Sequence, residues 1–274
     1  MKRSHIKSLC YQTELDILSF DALIDERDEY IRIESPSSPS FFWGNFLLFP
    51  QPPAAGDLER WRELFRREFG AERMERHVTF GWDTTSGELG DVEDFVEAGF
   101  DIERLVTLSL RDADAIVQPV NCNQQVQVRA LETDDDWEQA LENQVDCRED
   151  GHSEDAYRTF AIDQMARRRA MVDEGLGRWF GAFLYGDLVA DCGLFVFADG
   201  RARYQSVGTH PDYRRRGIAG RLIHDVTRIG FDEMGTTTQV IVADTEYHAA
   251  RIYESIGFRP TDYGVGASWW QRTE

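Results

Sequence analysis

Apolar residues recur with two different periods along the chain, and the changes of period divide it into elements. In the second half, Val126–Leu131 reads as a strand. Thr133 with Asp136 makes a capping-box pattern ahead of a helix through Trp137, Leu141 and Val145. Ser153 opens another helix, acidic at Glu154 and Asp155 and basic at Arg167, Arg168 and Arg169, a charge order that suits the dipole of a helix closing at Gly175. Three strands with hairpin punctuation follow. Arg178–Tyr185 turns at Gly186-Asp187 into Leu188–Phe197, which turns at Asp199-Gly200 into Arg201–Thr209. Ile218, Leu222, Val226, Ile229 and Met234 then fall at helical spacing, and Thr238–Ala243 is β-rich. Ala249, Ile252, Tyr253 and Ile256 form a stripe stopped by Gly257, a helix C-cap signal, and Ala267–Gln271 closes as a strand.

The first half repeats this order more faintly. Residues 1–35 are weakly patterned apart from an alternation at Tyr30–Glu34. Phe41–Phe49 is a strongly apolar strand candidate, broken by Pro52-Pro53. Asp57 can cap a helix with Leu58, Trp61, Leu64, Phe65 and Phe69 on one face. Arg76–Trp82 reads as a strand. Asp91 opens a short helix through Val92, Phe95 and Val96 that ends at Gly99-Phe100, and Leu105–Leu110 is a strand. Asp112–Gln125, polar and containing Pro119, reads as a linker. The expected organisation is two domains, 1–118 and 119–274, of α/β (α+β) class. Each is a mixed, mostly antiparallel sheet flanked by helices.

The chain is 42% hydrophobic, enough for packed cores. No apolar run reaches transmembrane length and Met1–His5 lacks a signal peptide's apolar stretch, so a cytoplasmic protein without a membrane partner is expected. Cys10, Cys122, Cys147 and Cys192 are scattered without a Cys-x-x-Cys pair, which predicts free thiols and no metal site. The net charge of −20 argues against a nucleic-acid partner. Lys2 and Lys7 are the only lysines among 30 basic residues. A GC-rich genome explains the arginines but not the acid excess, which resembles that of cytosolic proteins from salt-accumulating halophiles. Molar salt, by screening this self-repulsion, is therefore expected to raise the melting temperature. A melting temperature highest in dilute buffer would reject the expectation.

The candidate chemistry lies in Gln205–Gly220, where a β-branched run ends at Thr209, a turn follows at His210-Pro211-Asp212, and Arg214, Arg215 and Arg216 lead into Gly217 and a helix. The first turn of such a helix offers unpaired N–H groups and a positive dipole end, a phosphate-binding arrangement to which the arginines add charge. Arg214-Arg215-Arg216-Gly217-Ile218-Ala219 resembles the Gln/Arg-x-x-Gly-x-Gly/Ala loop of the GNAT superfamily of N-acetyltransferases. Tyr253 through Gly257-Phe258 resembles that family's Tyr-x-x-x-Gly-Phe signature.

The resemblance implies a GNAT-like fold, in two tandem copies, with acetyl-CoA as cosubstrate. Its pyrophosphate would be held by the loop Arg214, Arg215, Arg216, Gly217, Ile218, Ala219 and Gly220, and its thioester by backbone N–H groups of Val207, Gly208 and Thr209. Tyr253 would be the general acid. Glu246, where the family often has an asparagine, is a weak candidate base. Arg203, Tyr204 and Gln205 supply none, and His210 and His248 read as surface or capping residues. The acceptor would be an amine of a small molecule or peptide, and the protein a monomer or homodimer. The alternative is a catalytically weak acyl-CoA-binding sensor or interaction protein, and a further rival keeps the fold but transfers another acyl group or uses a hydroxyl acceptor. The N-terminal copy has Pro52-Pro53-Ala54-Ala55-Gly56 at the loop position and Phe95 at the tyrosine position, so it is not expected to hold acetyl-CoA.

Overall fold

The computed structural model describes residues 1–148, 153–245 and 249–271. The elements are α1 (Leu9–Leu18), β1 (Leu23–Glu26), β2 (Ile31–Glu34), β3 (Asn45–Phe49), α2 (Asp57–Phe69), α3 (Ala71–Met74), β4 (His77–Trp82), α4 (Glu93–Glu97) and β5 (Asp101–Leu110). They continue with β6 (Gln127–Ala130), α5 (Asp134–Asp146), α6 (Glu154–Asp173), β7 (Gly177–Leu184), β8 (Asp187–Val196), β9 (Arg201–Thr209), α7 (Ile218–Glu233), β10 (Thr238–Asp244), α8 (Ala249–Ile256) and β11 (Arg259–Trp270). The chain divides into two units. One holds Met1–Thr107 with the segments that begin at Val242 and Thr261, and the other holds Leu108–Ile241 with the segment ending at Pro260. Most of the last strand therefore returns to the N-terminal unit, which the linear order of elements does not announce. Among the described residues no helix is long and apolar enough to cross a membrane.

In the N-terminal unit the strand order is β1-β2-β3-β4-β11-β5. β3 and β4 run parallel, whereas β1/β2, β2/β3 and β4/β11 are antiparallel. Helix α2 buries Leu58, Trp61 and Phe65 in a core shared with Phe49, Phe80, Trp82, Phe95 and Phe100. Its Trp61 stacks on Phe49 with centroids 3.8 Å apart. Gly56, at φ 82°, is the N-cap of this helix, and Asp57 is its first residue rather than its cap. The Phe41–Phe49 run is only half strand. Phe42–Gly44 is a 3-10 turn, because the Asn45 amide bonds back to the carbonyls of Ser38 and Phe41 at 2.9 and 2.8 Å.

Helix α1 lies within the weakly patterned start of the chain, and its first turn explains why it escapes periodicity. Asp83 accepts from the Lys7 and Ser8 N–H groups, and Asp262 from those of Leu9 and Cys10. Carboxylates remote in sequence thus satisfy the orphan donors of the helix start.

The C-terminal unit has strand order β10-β9-β8-β7-β6, antiparallel except for the parallel pair β9/β10. The capping box at the start of α5 is formed, with Thr133 Oγ1 accepting from Asp136 N–H and Asp136 accepting from Thr133 N–H. Helix α6 continues to Asp173, so the arginine run lies inside it and not in its last turn. Arg167 and Arg168 are buried, and Arg168 Nη2 donates to Gln205 Oε1 on β9 at 2.7 Å. Both units are mixed α/β, with mostly antiparallel strands flanked by helices.

Candidate active site

The phosphate-loop candidate is built by two left-handed residues. Arg215 has φ 61° and Gly217, the N-cap of α7, has φ 73°. The first α7 residues, Ile218, Ala219 and Gly220, carry N–H groups without a partner in the helix. The polar stretch read as a linker braces this loop. Asn123 donates from its backbone N to Gly217 O at 3.1 Å and from Nδ2 to Arg216 O at 3.0 Å. Gly217 also needs its missing side chain, since a Cβ there would lie 2.6 Å from Asn121 Oδ1. All three arginines are exposed. Arg214 Nε donates to Thr209 O at 3.1 Å and Arg216 Nη2 to Asp212 O at 2.8 Å.

Strand β9 approaches this loop from the sheet. Its pairing with β10 covers Arg201, Ala202 and Arg203 and then stops, so among the described residues no strand pairs with Tyr204–Thr209 on that side. On the other side the register jumps from Gly193↔Gln205 to Asp191↔Gly208, a bulge in which Ser206 and Val207 oppose a single residue of β8. Ser206 sits at φ 49°. Beyond the bulge, His210 N–H donates to Val189 O. Antiparallel alternation then turns the backbone N–H groups of Thr209 and Val207 to the open side and that of Gly208 toward β8. The bulge falls just before Gly208. Gly208 admits close approach: a Cβ there would lie 3.2 Å from both Gln144 Nε2 and Cys147 Sγ.

Behind the bulge lies a residue that the sequence reading missed. Asp191, on β8, is fully buried. Its carboxylate accepts from Trp179 Nε1 at 2.7 Å, from Asn143 Nδ2 at 2.5 Å, and from Gln144 Nε2 at 2.9 and 3.0 Å. Burial pushes its carboxyl up to about 7, against the opposing pull of these donors. An acid inside the apolar run Leu188–Phe197 was the available signal, because a charge in a buried strand must find partners. Burial also pushes the Cys147 thiol up to about 11, which makes it a poor nucleophile.

Tyr253 is buried on α8, which packs against α7. Gly257, at φ 120°, ends that helix with Phe258 N–H returning to Tyr253 O at 3.2 Å. A Cβ on Gly257 would lie 2.3 Å from Ala115 O, so the signature glycine lets the incoming segment pass. Tyr204 cannot serve as a free acid, as its hydroxyl is engaged with Thr227 and Gln239. Glu246 and His248 lie outside the described residues. Among the described residues no group of His, Cys, Asp and Glu could hold a metal ion.

The matching loop of the N-terminal unit is closed on itself. Asp57 Oδ2 accepts from Ala54 N–H at 2.9 Å, and Arg60 pairs with the same carboxylate. An internal anion thus stands at the start of α2.

An open strand flank thus leads into a glycine-capped, arginine-rich helix start in an α/β fold. Residues 137–258 match the model of the acetyltransferase (GNAT) family. A functionally unknown conserved protein from Staphylococcus epidermidis shares the fold at TM-score 0.72 and 14% identity, over 92% of this chain and 95% of that one. A GCN5-related N-acetyltransferase from Kribbella flavida does so at TM-score 0.65 and 18% identity, over 94% and 93%. A tandem GNAT protein from the clavulanic acid biosynthesis pathway is similar at TM-score 0.50 and 15% identity, over 78% and 69%. No curated protein matches the sequence.

Proposed function

We propose that the protein is an N-acetyltransferase that moves an acetyl group directly from acetyl-CoA to an amine of a small molecule or peptide. The observation that carries this reading is the alignment of the open flank of β9 with the glycine-capped start of α7. Amides of residues 216–220 would receive the pyrophosphate, with charge from Arg214, Arg215 and Arg216. The amine nitrogen attacks the thioester carbonyl, and the Val207 and Thr209 N–H groups face the oxyanion that develops. The C–N bond forms, the C–S bond breaks, and the thiolate takes a proton from Tyr253. The proton lost by the amine passes to Glu246 or to water.

The second reading, an acyl-CoA-binding sensor, is favoured by one observation: none of Arg203, Tyr204 and Gln205 on β9 is a base. In this proposal residues 119–274 are the acetyltransferase domain. Residues 1–118 are a degenerate copy with a structural or acceptor-shaping role, its loop blocked by Asp57. Thiol release from acetyl-CoA, followed with amines, amino acids, aminoglycosides and peptide N-termini, tests the proposal beside calorimetry. We expect release with at least one acceptor class and one acetyl-CoA bound per chain. Binding without release would favour the sensor, and absence of binding would overturn both readings. A stoichiometry of two would overturn the degenerate-copy assignment.

A further inference from the structure

The candidate site depends on a backbone conformation that its own sequence does not favour. Ser206 is neither glycine nor asparagine, yet it holds φ 49° at the bulge of β9. Something outside the strand must fix it. The group that reaches it is Gln144 of α5, whose Nε2 donates to Ser206 O at 2.9 Å. The same nitrogen donates to both oxygens of Asp191. One amide group therefore spans the bulge and the buried carboxylate, and its two hydrogens are both used.

Asp191 is what makes this orientation unique. Its side-chain hydrogen-bond donors, on Trp179, Asn143 and Gln144, are all neutral, and its side chain lies in an otherwise apolar stretch of β8. An apolar residue would fill that space without burying a carboxylate. What an apolar residue could not do is hold the Gln144 amide with its nitrogen toward the strand. A glutamine amide can flip by half a turn, and flipping would place its oxygen against Ser206 O. The ionised Asp191 carboxylate only accepts and so opposes that flip. Gly208 completes the arrangement by leaving room, since a Cβ there would crowd Gln144 Nε2 at 3.2 Å and Asn143 Nδ2 at 3.4 Å.

We propose that Asp191 is a positioning residue: through Gln144 its carboxylate latches the Ser206–Val207 bulge, and the latch sets where the Val207 and Thr209 amides point. The catalytic meaning of the latch rests on the acetyltransferase reading; its structural meaning does not. The latch acts on amides that would face the thioester, not on the phosphate loop. Its loss is therefore expected to lower kcat more than it weakens cofactor binding.

Asp191→Asn is a poor test because it sets a new N–H donor among donors in the core and can fail to fold. Gln144→Met keeps the length of a half-buried side chain, removes only the bridging amide, and leaves Asp191 the Trp179 and Asn143 donors. Amide hydrogen exchange of the full-length variant is the primary measurement. Exchange of the Gly208 amide, which the register turns toward β8, is expected to speed up about tenfold or more while β7 keeps its protection. In turnover assays kcat is expected to fall about 10- to 100-fold, with KM for acetyl-CoA within about threefold of the parent. Wild-type exchange at Gly208 in Gln144→Met would overturn the latch whatever the turnover. A parent protein that fails to bind acetyl-CoA would instead overturn the acetyltransferase reading and leave the exchange result to decide the latch.

Discussion

Replacing Tyr253 by phenylalanine is expected to lower turnover by roughly two to four orders of magnitude while acetyl-CoA affinity stays nearly unchanged. The ring is 5% exposed on α8 and contributes packing that phenylalanine would keep. Only the hydroxyl is lost. If that hydroxyl merely satisfied a buried hydrogen bond, its removal would cost about 1 kcal/mol of stability and no turnover. A proton donor for the leaving thiolate has a different signature, in which kcat and kcat/KM fall together and binding does not. Thermal melting, calorimetry and steady-state rates on the same preparation separate the two. Turnover equal to the parent would return Tyr253 to the core of α8 and remove the general acid from the proposed mechanism.

What the sequence disclosed and what it hid divide along one line, the sequence distance over which the determining contact acts. Strands β7, β8 and β9 were legible because the turns between them carry Gly186 and Gly200, both at positive φ. The start of α5 was legible because Thr133 and Asp136 cap it locally. Helix α1 was not, since beyond its Ser8 N-cap the N–H groups of its first turn bond to the distant carboxylates of Asp83 and Asp262. Strand β11 was read only at its end, because Gly264 and Gly266 interrupt its pattern. Gly266 is required there, as a Cβ would lie 2.2 Å from the Trp43 ring. The site divides in the same way. The loop at Arg214–Gly220 lies in one stretch and shows in the sequence. The latch of Asp191, Gln144 and Ser206 draws on β8, α5 and β9, and no local motif marks it. That the polar stretch before β6 also braces the loop was not legible, because its partners, Arg216 and Gly217, lie far along the chain.

The phosphate assignment predicts a second large effect. Gly217→Glu would test it poorly, because a side chain at φ 73° and 2.6 Å from Asn121 would strain the loop whatever its charge. Ala219 is the better position. It is the second residue of α7, has helical backbone and is half-buried. A glutamate there sits in the first helical turn, where a negative charge stabilises the helix by about 0.3–1 kcal/mol. Ala219→Glu should therefore melt at or slightly above the parent temperature. Against a pyrophosphate at the same helix start the charge acts the other way. Two like charges about 4 Å apart repel by about 4 kcal/mol at an effective dielectric near 20. With a factor of ten in affinity for every ~1.4 kcal/mol, acetyl-CoA binding should weaken roughly 100-fold or more. The opposite signs are the strength of the test, since a misfolded variant would lose both binding and stability. Calorimetric affinity equal to the parent, with melting temperature preserved, would show that the start of α7 does not carry the phosphates.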